Sequence, residues 1–139
     1  MSPQTLRILI PAVLVVHGVG HTMGILPALG LASTKTWHAR SWLLTPVLGD
    51  RAARAISVIL WLVAALGAIG AGLGAFGWPV TQGAWRTLAV VSAIVSLVGL
   101  VLFWNAFSAF FNKAGAIGVD AATLVGILVL NWPPLDLIT

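Results

Sequence analysis

Four apolar runs, each about long enough to cross a bilayer, fill almost the whole of this 139-residue chain. In hydrocarbon every backbone N–H and C=O must be satisfied inside the protein, so only helices and closed barrels can span. A spanning β-strand alternates apolar and polar residues, whereas these runs are apolar on all sides. The expected fold class is therefore all-α: one integral membrane four-helix transmembrane bundle over residues 1–139. Its spans are expected at about 6–26, 53–76, 85–107 and 114–130.

Composition agrees. Hydrophobic residues make up 60% of the chain and charged residues 7%, and the mean hydropathy is +1.07. A soluble domain is roughly one quarter charged, so this inventory cannot build a water-solvated surface. The net charge of +4 does not point to nucleic acid, because the seven Lys and Arg are scattered over short loops. Such residues set orientation and touch anionic headgroups. With no cysteine, disulfides, iron–sulfur clusters and thiolate sites are excluded. Leu6 to Val16 behind Arg7, with Ala28-Leu29-Gly30 downstream, has some features of a signal peptide. The apolar run is too long and its flank too weakly basic, so it is expected to be a mature helix.

Pro27 marks the end of the first span. The connection 28–49 is expected on the membrane surface, with Trp37 and Trp42 as anchors and Ser33, Thr34 or Thr36 capping a short helix. Asp50 suits the N-cap of the second span. Trp78, Trp85, Trp104 and Trp132 punctuate the helix ends in the manner of an aromatic belt. Lys35, Arg40, Arg51, Arg54 and Lys113 fall on one side, Arg7 and Arg86 on the other. The positive-inside rule then puts the long connection in the cytoplasm and both termini outside, in a multi-pass protein of the inner (plasma) membrane.

Helices in lipid associate through small residues and buried polar groups. Gly67, Gly70 and Gly74 share one face of the second span. Gly20 and Gly24 share a face of the first with two histidines, and Gly118 and Gly126 mark the fourth. Such stripes seat neighbours within the chain or in another copy. A homo-oligomer, or union with other membrane subunits, is expected alongside the lipid bilayer as partner.

His17 and His21 lie one turn apart on one helical face. Ionisable groups at membrane depth are expensive and mark functional sites by default. The pair supplies two metal ligands, but the glutamate of the zincin helix is missing and a third and fourth ligand would be needed. The sequence alone therefore assigns no metal site, no catalytic residue and no cofactor. The other acidic candidate within the bilayer is Asp120. His21 and Asp120 are expected to meet, at depths of roughly 12 and 9 Å from the same side of the bundle, with His17 one turn deeper. Thr123 and Asn131 share the Asp120 face. Ser57 and Trp61 are candidate neighbours, and Asn105, on the third span, ranks below the others.

The residues His17-Gly18-Val19-Gly20-His21-Thr22-Met23-Gly24, Ser41-Trp42-Leu43-Leu44, Trp61 and Trp104 resemble those of small bacterial four-helix membrane proteins with a His-Gly-x-x-His first helix. That resemblance implies the four-span fold and no mechanism. The architecture is also similar to DoxX-type proteins, some linked to quinone oxidoreduction, by fold analogy alone. Three function classes follow. The first is a small membrane protein acting by self-association or as an accessory subunit, with a buried His/Asp polar site. The second is a proton- or cation-linked transporter or channel subunit. The third is a redox subunit binding haem, metal or quinone.

Overall fold

The computed structural model describes residues 2–107, 110–134 and 137. Its elements are α1 (Pro3–Gly20), α2 (Thr22–Ala28), α3 (Leu44–Ala75), α4 (Pro79–Gln82), α5 (Trp85–Leu102) and α6 (Phe110–Leu124), with α6 prolonged by a π-helical turn, Val125–Val129. Four segments are long and apolar enough to cross a membrane: Pro3–Ala28, Leu44–Ala75, Trp85–Leu102 and Phe111–Val129. The architecture is all-helical among the described residues, apart from two isolated bridges, Thr34 with Trp37 and Trp37 with Phe107.

Several boundaries differ from expectation for local reasons. The first segment is α1 and α2 joined at His21, whose amide reaches back to the Gly18 carbonyl at 3.2 Å. Pro27 lies inside α2 and does not end it. Having no N–H, Pro27 cannot bond the carbonyl four residues earlier, which belongs to Met23. The Trp37 indole N–H donates to that carbonyl at 2.6 Å. The third span stops at Leu102 and not at 107, because Phe103 leaves helical geometry (φ −115°, ψ 32°) and a 3-10 turn, Trp104–Ala106, follows. The freed carbonyls of α5 are met from the long connection. Trp42 Nε1–H donates to Val101 O at 2.8 Å, and the Ser41 hydroxyl donates to Leu102 O. Trp37 and Trp42 thus close helix ends, and no short helix forms around Ser33–Thr36. Asp50 follows Gly49, whose positive φ of 82° separates a first helical turn from the long body of α3.

α3 is the central helix, with α1 along one face and α5 along another; α6 packs on α5. Both faces of α3 are lined by Ala and Gly. Toward α1, a Cβ on Gly72 would sit 2.7 Å from the Pro11 carbonyl oxygen, and one on Gly18 would sit 2.8 Å from the Ile69 amide nitrogen. Toward α5, Gly67 faces Ser92 and Gly70 faces Leu88, and Gly74 abuts the Thr81 backbone of α4. Ser92 Oγ adds an interhelical bond to Ala64 O at 2.7 Å. The Gly67, Gly70 and Gly74 stripe is therefore consumed within the chain. Gly20 and Gly118 have open space where a Cβ would stand, so neither seats a helix within the chain, and Gly126 makes only ordinary contact with Trp132. Trp85 is another correction: at 3% exposure it is a core residue packed with Ala75, not a belt tryptophan.

Contacts group the connections at the two ends of the bundle. The connection 28–49 meets the segment after α5 at one end, where Lys113 also lies, 4.4 Å over the Trp104 ring. At the other end Arg7 Nε donates to Leu137 O at 2.8 Å, and Arg86 donates to Asn131 Oδ1 at 2.7 Å and to Pro133 O. Asn131 is thus a partner of Arg86 beyond the helix. Thr139 lies outside the described residues.

Close backbone approach makes a direct prediction. Gly72→Val should destabilise the protein by about 1–3 kcal/mol, the usual cost of overpacking. Gly118→Ala should be neutral or slightly stabilising, because open space meets the new methyl. Unfolding by sodium dodecyl sulfate titration, followed by circular dichroism, reads both.

Candidate functional site

Asp120 sits midway along α6 at 1% exposure. An ionised carboxylate away from water needs donors on both oxygens, and two other helices supply them. His17 Nε2–H on α1 donates to Oδ1 at 2.8 Å, and Ser96 Oγ–H on α5 donates to Oδ2 at 2.6 Å. His17 and His21 rings meet edge to face, with centroids 4.5 Å apart and planes at 71°. His21 is 6% exposed, and its Nε2 is buried with no hydrogen-bond partner among the described residues.

The structure brings His17, His21 and Asp120 together. One imidazole nitrogen from each histidine and one carboxylate oxygen all lie within 4.8 Å of one another. Asp120 bonds directly to His17, while His21, expected within direct or one-water reach of it, offers a ring nitrogen within 4.8 Å. The reason is depth. Helix α6 begins at Phe110, so Asp120 lies about ten residues in, ~15 Å by helical rise. From Ala28, the end of α2, His17 is about eleven residues deep, ~16 Å, and His21 only about seven, ~10 Å.

Trp61 lies against the site. Its ring stacks on His21 with centroids 5.7 Å apart and planes at 25°, and meets Phe107 edge-on at 5.5 Å. A slot with glycine on two sides admits the indole. A Cβ on Gly24 would fall 2.4 Å from Trp61 Cδ1, and one on Gly99 would fall 3.1 Å from its Cη2. Gly24 and Gly99 thus act on His21 through Trp61. Ser57 is buried one turn before Trp61, and Thr123 is half-buried one turn beyond Asp120. Asn105 is not on a span: it is exposed in the turn after α5, and its Oδ1 accepts the Trp42 amide at 2.9 Å. The His38 ring accepts the Arg40 amide at 3.2 Å in the long connection. In sequence Ser96 only shares a small-residue face of α5 with Ser92 and Gly99. Nothing in that spacing signals a carboxylate partner.

Between α1 and α6 lies a cavity of about 860 Å³ whose lining includes His17, His21 and Trp61. Most of its wall is apolar, from Leu9, Val13 and Val16 on α1 and from Ala116 and Val119 on α6, while Trp37, Asn112 and Lys113 line it nearer the loops. Val16 is 71% exposed and Phe111 85%. The cavity therefore opens sideways between these two helices.

No protein-family model, curated protein or solved structure matches this chain. The likeness to small membrane bundles consequently rests on the four apolar helices.

The hydrogen bonds to Asp120 set a measurable expectation. Interhelical bonds in membranes average about 0.6 kcal/mol and reach about 1.7, so Asp120→Ala, which removes the acceptor for two of them, should cost roughly 1–3 kcal/mol. Ser96→Ala should cost less and couple to it in a double-mutant cycle. Additive losses in detergent unfolding would show that the Ser96 bond carries no interaction energy.

Proposed function

We propose that this multi-pass membrane protein binds a lipophilic molecule with a small polar head, taken from the bilayer into the cavity between α1 and α6. The head lies toward His17 and His21, and the tail lies along Leu9, Val13 and Val16. The observation that carries this reading is the cavity: about 860 Å³, apolar along its length, polar at the histidines and open to the side. Ligand pockets of roughly 300–1,000 Å³ have this character, apolar with a few convergent polar groups. A carbonyl-bearing ring such as a quinone fits it, since a histidine N–H can donate to the carbonyl while Trp61 offers an aromatic face. Among the functions open to a chain of this kind, this is the redox or ligand-binding subunit. A proton-linked pathway has less support, because the polar group is small and bounded by apolar wall.

A short-chain benzoquinone should bind the detergent-solubilised protein saturably, with one equivalent per chain, in equilibrium dialysis. Val16→Trp, at the cavity mouth, should weaken binding at least tenfold; Val98→Trp, exposed on α5 away from the cavity, should not. Binding that fails to saturate, or that ignores Val16→Trp, would sink the reading.

A second reading concerns partners. An 18-residue window of the Phe111–Val129 segment has only 6% of its residues buried within the chain, and Ala114, Gly118 and Ala121 all lie exposed on α6. We propose that this small-residue face meets a second copy or another membrane subunit, which makes the protein an associating or accessory component. Gly118→Ile with Ala121→Ile should then lower the oligomeric mass measured by light scattering.

Orientation belongs to the same proposal. Five Lys and Arg at the loop end against two at the other favour a cytoplasmic long connection, with both termini outside the inner membrane. We also place the chain beside the bacterial His-Gly-x-x-His proteins, on the strength of His17 and His21. Reporter fusions after Thr139 and at Lys35 should give opposite signals; a cytoplasmic signal at Thr139 would reverse the assignment.

A further inference from the structure

We propose that His17, His21 and Asp120 form a binding site for one divalent first-row transition ion that accepts imidazole and carboxylate, zinc or ferrous iron, with an open coordination position toward the cavity. The site stands on the side-chain cluster and does not depend on what fills the cavity.

Three features carry the inference. First, two imidazoles and one carboxylate offer ligand atoms within 4.8 Å of one another. They come from two elements, α6 and the α1–α2 segment, so an ion would bridge the two walls of the cavity. Ligand atoms around an ion with bonds of roughly 2.0–2.1 Å stand closer than this, so an ion would draw the three side chains inward. Second, His21 Nε2 is buried without a partner among the described residues. An imidazole held dry and unpaired is costly, and Trp61 packed on the ring holds it there. Third, the carboxylate is already oriented. Ser96 Oγ–H holds Oδ2 at 2.6 Å, the kind of outer partner that fixes metal-bound carboxylates, and leaves Oδ1 for the ion.

The chemistry balances without further groups. In the metal-free protein a hydrogen bond of 2.8 Å joins His17 Nε2 to Asp120 Oδ1, with the imidazole carrying the proton when the carboxylate is ionised. A bound ion takes that place, and His17 shifts to the tautomer protonated on Nδ1. The Asp120 charge offsets half of the ion's charge in a medium where an uncompensated dication is prohibitive. The donor set contains no thiolate, which favours zinc or iron over soft monovalent copper. Three protein ligands leave a position for water or for a polar head in the cavity, the coordination pattern of reactive rather than closed sites.

The test uses the full-length protein in detergent, stripped with chelator and titrated separately with Zn(II), anaerobic Fe(II) and, as a visible probe, Co(II). One equivalent per chain is expected, with Co(II) d–d bands that Zn(II) abolishes by competition. His21→Asn and Asp120→Asn should each lower Zn(II) affinity at least 100-fold, and Ser96→Ala about 10- to 100-fold, the range for outer-shell partners. His38→Asn should leave it unchanged. If the ligand variants do not fold, X-ray absorption on the zinc-loaded wild type decides. Two imidazoles and an oxygen at roughly 2.0–2.1 Å support the site, and an oxygen-only shell overturns it. Less than a tenth of an equivalent bound at tenfold excess metal, retention of affinity in His21→Asn, or its loss in His38→Asn would also overturn it. Benzoquinone binding, measured on the stripped protein, stands or falls separately.

Discussion

A carboxylate at 1% exposure in an apolar helix must find donors within the protein, and Asp120 finds one on each side. Helices α1, α3, α5 and α6 pack in that order, a row whose two outer members stand across a cavity from each other. The His17–Asp120 bond spans that gap at mid-depth, and the Ser96–Asp120 bond pins the same carboxylate to α5. Asp120 thereby fixes where α6 stands relative to α1, and with it the width of the cavity and the spacing of the histidines.

The rest of the bundle is arranged by size. Where α3 meets α1 and α5, Ala and Gly bring backbones into contact, which is how helices gain van der Waals energy when lipid offers no hydrophobic contrast. The same small residues create space at one place, and the chain fills it with Trp61. Gly24 and Gly99 flank the indole, and the indole supports His21. A packing device of apolar helices thus becomes a positioning device for the polar cluster. Gly24→Val would act on His21 without touching it.

The sequence reveals the helices and their number because apolar runs of bilayer length leave the backbone few alternatives. It also reveals which residues are costly at depth, and His17, His21 and Asp120 do converge. It does not reveal their pairing. That depends on where α6 begins, and a start near Ala114 instead of Phe110 moves Asp120 by about one turn, ~5.4 Å, enough to exchange His21 for His17. Asn105 was misplaced in the same way, because nothing in Leu102-Phe103-Trp104 marks the end of α5. The tryptophans misled for a different reason. An indole at a helix end serves equally as a lipid anchor, as a cap for a free carbonyl (Trp37 and Trp42) or as core (Trp85), and composition cannot separate these uses. Gly20 and Gly118 shared a face with functional or packing residues, yet the row of helices leaves both uncovered.

The loosely covered position of α6 gives the polar cluster an energetic lever. With 6% of its spanning window buried, this helix has less packing to hold it than α3, at 39%. Two hydrogen bonds, each worth about 0.6–1.7 kcal/mol in a membrane, are then a larger share of its anchorage than the same bonds would be elsewhere. Anything that binds only when His17, His21 and Asp120 are assembled stabilises the seated helix by RT ln(1 + [L]/Kd), about 2.7 kcal/mol at a hundredfold excess over Kd. That exceeds either hydrogen bond. Occupancy of the site and closure of the cavity wall are therefore thermodynamically linked: a ligand that bridges α1 and α6 narrows the range of positions α6 can take, and a mutation that unseats α6 weakens the ligand by the same free energy.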